Sequence, residues 1–325
     1  MPPRAQVVAA AVAVAVMGAT AARGHAAATP RCFGAAARDG LHPCHNARLR
    51  RSVLPSPADA LIIPNLPCAQ IETDGPGSTF NGALGVCAFG TPVARAVATV
   101  AVVGDSHAMN WRAPVDVVAR AKGWRALGMA RSHCPFSLAP ILLPSRRDRA
   151  GCARWRRRVI AWFDRHPEVN VVFVAQHTSH RVHVAARPGR SQFAAQAAGY
   201  ARAWRALPRT VAHIVVIREN PQRPDAIPAC LRRARARRLP PGKACALPRA
   251  AVLPRDPATV AAAHLRSRRV QIADLTHFMC DRRLCYPVVG GVLVNKDLTH
   301  LTTLFASTLG PYLLRRVNRL MPEWG

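Results

Sequence analysis

The stretch "VATVAVVGDSHAMNW", residues 97–111, changes character at Gly104. Up to that glycine it is small and β-branched, the composition of a buried strand. Beyond it an acid, a hydroxyl and an imidazole stand side by side, and "HAMNWRAPVDVVARAKG" then has helical spacing. Pro114 is an interior blemish in that helix and is expected to split it into two pieces. In open α/β sheets ligands bind beyond the carboxyl ends of the strands, and Ser106 stands at such a place. A helix N-terminus there offers free N–H groups and a positive dipole to an oxyanion. Two readings fit these residues: Asp105 or Ser106 caps the helix, or Ser106 is a nucleophile. The stretch alone does not choose between them.

Working outward, further apolar runs occur at 124–130, 169–175, 211–217 and 270–275, with helical stretches at 153–165, 191–206 and 256–267 between them. Strands alternating with helices predict one α/β domain with a parallel sheet over 91–325. "YPVVGGVLVN" (286–295) reads as a small hairpin turning at Gly290-Gly291, and a closing helix is expected over 301–320. Residues 29–90 are rich in Pro, Gly and Cys, lack sustained periodicity, and read as an irregular, disulfide-tied N-terminal segment. Residues 1–28 have one early arginine, a short apolar core and small residues around Gly24-His25-Ala26. That is the layout of a secretory signal peptide, with a retained N-terminal anchor as the bland alternative. The expected location is secreted or associated with the cell envelope.

Export agrees with the ten cysteines, which fall into five couples of neighbours with no C-x-x-C among them. Thiolate metal sites are thereby disfavoured and disulfides favoured. Pairing of neighbours (32–44, 68–87, 134–152, 230–245, 280–285) is the economical reading, although sequence alone does not prove it. The formal charge is +30, and all but Lys122, Lys243 and Lys296 of the 46 basic residues are arginine. Such a field favours anionic envelope polymer. Specific nucleic-acid recognition is not expected, because aromatic residues are few and no stacking platform is evident. The basic runs at 154–158 and 232–238 lie beside cysteines and read as loops. His107, His177, His180 and His277 read as loop or core histidines, and Trp111, Trp124, Trp155 and Trp162 as core.

"NKDLTHLTTLF" (295–305) shifts the balance toward catalysis. Asp297 and His300 are three apart, which brings both to one face of a turn or helix start. Nucleophilic serine chemistry needs a base for the hydroxyl proton and an acid to orient that base. A D-x-x-H is weak by itself, but coupled to G-D-S-H after the first strand it becomes specific.

Together these motifs resemble the SGNH hydrolase superfamily, and more narrowly the SGNH domain at the C-terminus of many membrane acyltransferase-3 proteins that O-acylate cell-surface polysaccharides. The resemblance spans roughly residues 65 to 320. It rests on "VVGDSHAMNW", "HCPF" (133–136) with the following "CARW", "ENPQRPDAIPACL" (219–231) and "ADLTHFMCDRRLCYPVVGGVLVNKDLTHLTTLFASTLGPYL". It implies a flavodoxin-like parallel sheet with helices on both faces and disulfide-stapled loops. Ser106 is then the nucleophile, His300 general base and acid, and Asp297 its orienter, with no cofactor and no metal. The implied partner is acylated, foremost O-acetylated, cell-envelope carbohydrate. The multi-span acyltransferase module is missing from this chain, so any such membrane partner acts in trans. The G-x-N-D of the superfamily is also missing. The third strand ends "VAQHTSH", where Gln176 or His177 is only a guess, so the outer oxyanion donors stay unassigned.

Three alternatives compete. A metallophosphoesterase would use Asp105 and His107 as D-x-H ligands, but no G-D-x-x-D or G-N-H-[DE] accompanies them. An α/β-hydrolase would want G-x-S-x-G, and here Ala108 ends the motif. A degenerate domain that binds polysaccharide without catalysis remains the non-enzymatic reading.

Overall fold

The computed structural model describes residues 29–73, 82–182, 184 and 191–324; the signal-peptide reading of 1–28 lies outside them. In chain order the strands are β1 (Ala69–Thr73), β2 (Gly85–Gly90), β3 (Ala98–Gly104), β4 (Trp124–Ala130), β5 (Val169–Ala175) and β6 (His213–Ile217). They continue with β7 (Leu247–Pro248), β8 (Val270–Ala273), β9 (Leu284–Cys285), β10 (Val288–Val289) and β11 (Val292–Leu293). The helices are α1 (Pro57–Ile62), α2 (Ser106–Lys122), α3 (Arg146–Arg165), α4 (Gln192–Arg205) and α5 (Ile227–Ala236). After them come α6 (Pro241–Ala244), α7 (Arg249–Val252), α8 (Pro257–Leu265), α9 (Thr303–Thr308) and α10 (Gly310–Leu320).

Seven strands form one sheet in the order β1-β2-β4-β3-β5-β6-β8. From β4 to β8 every neighbouring pair is parallel, which is the flavodoxin-like order with its switch point beside β3. Both faces are covered. Trp111, Val115, Val118, Phe305 and Leu313 pack under one face; Trp155, Phe163, Tyr200, Trp204 and Ala261 pack under the other. β3 and β5 are apolar on both sides for this reason. Trp111, Trp124, Trp155 and Trp162 are all buried, as expected.

β3 ends at a glycine because nothing larger fits. Gly104 has φ +157°, and a Cβ there would lie 1.9 Å from the Ala175 carbonyl oxygen of β5. The two strand ends therefore close to backbone contact where the chain turns into α2. At the hairpin tip Gly290 and Gly291 have φ +53° and +77°, the paired positive values that a two-residue turn between β10 and β11 requires.

Several expectations need correction. The N-terminal segment expected to be irregular supplies α1, β1 and β2. β2 is held by antiparallel pairing onto β4 and β1 by antiparallel pairing onto β2 rather than by apolar periodicity of their own, which is why Pro- and Gly-rich sequence hid them. Pro114 does not split α2; burial of Trp111, Ala113, Val115 and Val118 around it outweighs one lost helical bond. The closing helix breaks instead between α9 and α10, where Pro311 lacks the N–H and Gly310 meets Val117 of α2. Of the two readings that covered 154–158, the helical one for 153–165 holds and the loop one does not, since the run lies in α3; most of 232–238, read as a loop, lies in α5. All five couples of neighbouring cysteines are disulfides. Among the described residues no helix is long and apolar enough to cross a membrane.

Candidate active site

Asp105 takes the capping role, its Oδ1 accepting the His107 N–H at 2.9 Å. Ser106 is thereby left as the first residue of α2, with its hydroxyl free to face away. His300 Nε2 lies 2.8 Å from Ser106 Oγ, and His300 Nδ1 lies 2.8 Å from Asp297 Oδ2 and 3.0 Å from Oδ1. The three predicted residues are thus brought together in the expected order. Ser106 and His300 are separated by 194 positions in the chain.

The D-x-x-H spacing produces a turn rather than a helix face. Asp297 Oδ1 accepts the backbone N–H of both Thr299 and His300 at 2.9 Å, which folds the carboxylate back over the imidazole that follows it. The turn is pinned from both sides. Lys296 N–H donates to the His300 carbonyl at 2.9 Å, and Thr302 caps α9 immediately afterwards. The segment after β6 straps it down: Asn220 Nδ2 donates to Thr299 O at 2.8 Å, Arg223 N–H to Leu298 O at 2.8 Å and Arg223 guanidinium to Lys296 O at 3.0 Å. Burial pushes the Asp297 carboxyl upward, but the bonds from the His300 ring and the two backbone N–H groups outweigh it and hold Asp297 well below the usual range. It is therefore an anion wherever His300 needs orienting. The Ser106–His300–Asp297 chain can carry a proton away from the serine hydroxyl while α2 presents N–H groups to a developing oxyanion.

A second polar layer lies beneath. Asp105 is buried, and its Oδ2 accepts the His177 N–H at 2.9 Å, tying the end of β5 to the end of β3. Burial raises this acid, yet His180 and His107 keep it depressed. Glu219 is buried and accepts the Thr178 N–H at 2.7 Å, the Thr178 hydroxyl and, at 2.5 Å, His177 Nδ1. Burial lowers His177, but the bond to Glu219 lifts it above the ordinary histidine value. His107 is buried and lowered by burial, and its ring stands between His177, 5.1 Å away, and His300, 4.9 Å away.

Of the two guesses for an outer oxyanion donor, neither is placed in that role. Gln176 is buried and its amide atoms have no partner among the described residues, while both ring nitrogens of His177 are engaged. Sequence reasoning missed Glu219 and the partnership of His177, although both stand just past apolar strands, the position that marked Ser106. His107, His177 and Glu219 each offer a ligand atom, all within 4.8 Å of one another. The 2.5 Å between His177 Nδ1 and Glu219 Oε1 is a hydrogen-bond distance.

A family model described as the SGNH domain (fused to AT3 domains) matches residues 68–315. No curated protein matches the chain. Among solved structures, the periplasmic domain of a lipopolysaccharide acetyltransferase from Salmonella ser. Paratyphi A superposes with a TM-score of 0.53 at 12% identity. The match covers 69% of this chain and 84% of that one. With the family match running from the start of β1 into α10, the chain belongs to the family of SGNH domains that occur fused to AT3 domains.

Proposed function

We propose that this protein is an exported serine esterase or acyltransferase that removes or transfers O-acyl groups, foremost O-acetyl, on cell-envelope carbohydrate. The observation that carries the reading is the continuous contact chain from Ser106 Oγ through His300 to Asp297 at the carboxyl end of β3. In it Ser106 attacks the ester carbonyl, His300 takes the hydroxyl proton and returns it to the departing oxygen, and Asp297 holds the ring. The Ser106 N–H, in the first turn of α2 and without an intrahelical acceptor, is the nearest oxyanion donor. The acyl-enzyme then meets water, which gives hydrolysis, or a sugar hydroxyl, which gives transfer. Membership of a family found fused to AT3 domains, and a structural neighbour described as a lipopolysaccharide acetyltransferase domain, support the envelope substrate and an extracytoplasmic location. A membrane acyltransferase in trans is the corresponding partner. The net charge of +30 holds an anionic polymer near the site, an effect that weakens with salt.

The test offers acetylated glycan, a chromogenic acetyl ester and a long-chain lipid ester to the wild type and to Ser106→Ala. The short acyl substrates should turn over, and the variant should lose at least roughly a thousandfold if the three residues act as a unit. Full activity in a folded Ser106→Ala protein defeats the serine mechanism. Preference for the lipid ester replaces the carbohydrate reading with a lipase.

A further inference from the structure

Three residues beside the proposed triad repeat its chemistry. Ser179, in the turn after β5, places its Oγ 3.1 Å from His177 Nε2, and His177 Nδ1 is 2.5 Å from Glu219 Oε1. We propose that Ser179, His177 and Glu219 form a second nucleophilic relay, which accepts a small acyl group as an ester on Ser179 Oγ.

The order of contacts decides the roles. Glu219 Oε2 is committed to Thr178 through its N–H and hydroxyl, so Oε1 is left for the imidazole. A carboxylate on Nδ1 fixes the ring proton there and turns Nε2 into an acceptor. Among the described residues that acceptor faces the Ser179 hydroxyl. Gln222 Nε2 donates to the same oxygen at 3.0 Å, which leaves the serine's own hydrogen directed to His177. The acid is buried, the base is half-buried and the serine is exposed, the gradient that lets an ester reach the nucleophile while the carboxylate stays dry. The ring of His107 is common to both relays, stacked on His177 and tilted against His300. Two serines that can each hold an acyl group therefore lie at the same end of the sheet, off neighbouring strands β3 and β5.

The step balances without a redox partner. Ser179 Oγ bonds to the carbonyl carbon of an acyl ester as its proton passes to His177 Nε2. The bond to the departing alkoxide breaks, and that oxygen takes the proton from His177. A second hydroxyl, from water or carbohydrate, reverses the sequence and releases Ser179.

The reading goes beyond the proposed triad and is separable from it by fluorophosphonate labelling of the full chain, read by intact mass and peptide mapping. In that reaction the serine oxygen bonds to phosphorus, fluoride leaves and the proton passes to histidine. Ser106→Ala should keep one adduct, on the peptide carrying Ser179, and Ser179→Ala should keep one on Ser106. Adding Glu219→Gln to Ser106→Ala should slow the Ser179 adduct roughly a hundredfold, because the base His177 loses the carboxylate that fixes its tautomer. Ser179 is exposed, so its alanine variant folds and keeps the test decisive even where Glu219→Gln does not. Wild type labelled at Ser106 alone overturns the second relay and leaves the proposed esterase standing. Labelling at Ser179 alone does the reverse, and labelling at neither overturns both.

Discussion

Replacing Asp297 with asparagine keeps the shape of the side chain but exchanges one carboxylate oxygen for an NH2 and removes the negative charge. The retained oxygen can still accept the Thr299 and His300 backbone N–H groups, each now 2.9 Å from Oδ1. The new NH2 then stands where Oδ2 is, 2.8 Å from His300 Nδ1. This is the nearer of the two contacts, against 3.0 Å to Oδ1, and a donor there favours Nδ1 as acceptor, with the ring proton on Nε2. There it points at Ser106 Oγ, 2.8 Å away, and the nitrogen that should receive the serine proton is occupied. A wrong tautomer in a serine triad costs about 10⁴ in kcat, equivalent to about 5 kcal/mol of barrier. Stability should shift by less than about 1 kcal/mol because the backbone bonds survive. The assay is kcat/KM on a chromogenic acetyl ester, with a thermal melt on the same sample. In a Ser106→Ala background the second change should cost nothing further, since the residues act as one unit. A folded Asp297→Asn protein within about tenfold of wild type would refute the assignment of Asp297 as the group that sets the tautomer.

Other perturbations test the frame around the site. Gly104→Ala should destabilise by about 3 kcal/mol or more, because its Cβ would meet the Ala175 carbonyl oxygen at 1.9 Å; a soluble variant with an unchanged melting temperature contradicts the close approach. Cys230→Ser/Cys245→Ser opens a loop of sequence separation 15 and should cost about 3 kcal/mol in the chain-entropy description, measured by denaturant unfolding; no loss means the cross-link does not constrain the unfolded chain. Asp256 is raised from the ordinary 3.8 to about 6 by burial, against the backbone N–H groups of Glu219, Ala258 and Thr259 that pull it down. The folded state binds this proton more tightly, so the group's contribution is full at low pH and is lost as pH rises through about 4 to about 6. The melting temperature of Asp256→Asn minus that of wild type should therefore climb across that window, and a flat or falling difference overturns the assignment.

Local features were legible in the sequence because local physics makes them. The strand before Ser106 shows as a β-branched run, the glycine pair as a hairpin tip, and the cysteine couples as neighbours whose loops close with little entropy loss. Asp297 and His300 announce themselves because an aspartate can fold back on the N–H groups two and three residues ahead. The start of α3 was hidden, since "RRDRAGC" has no apolar period and is anchored instead by Ser145, which accepts the Asp148 N–H. β2 was hidden because it is held by β4, some way along the chain, and β1 because it is in turn held by β2.

What the sequence by itself determined is the alternation of strands and helices, the turn that exposes Ser106, and the acid–base pair near the last helices. Only the tertiary structure decided that β3 lies between β4 and β5, and hence that Ser106 sits at the switch point. It alone joined His177 to Glu219 across 42 positions and Ser106 to His300 across 194. Periodicity reports which face of an element is apolar, but carries no signal for which polar ends will meet. That depends on the order in which the strands pack, and it joins isolated polar residues just past the strand ends into hydrogen-bonded chains.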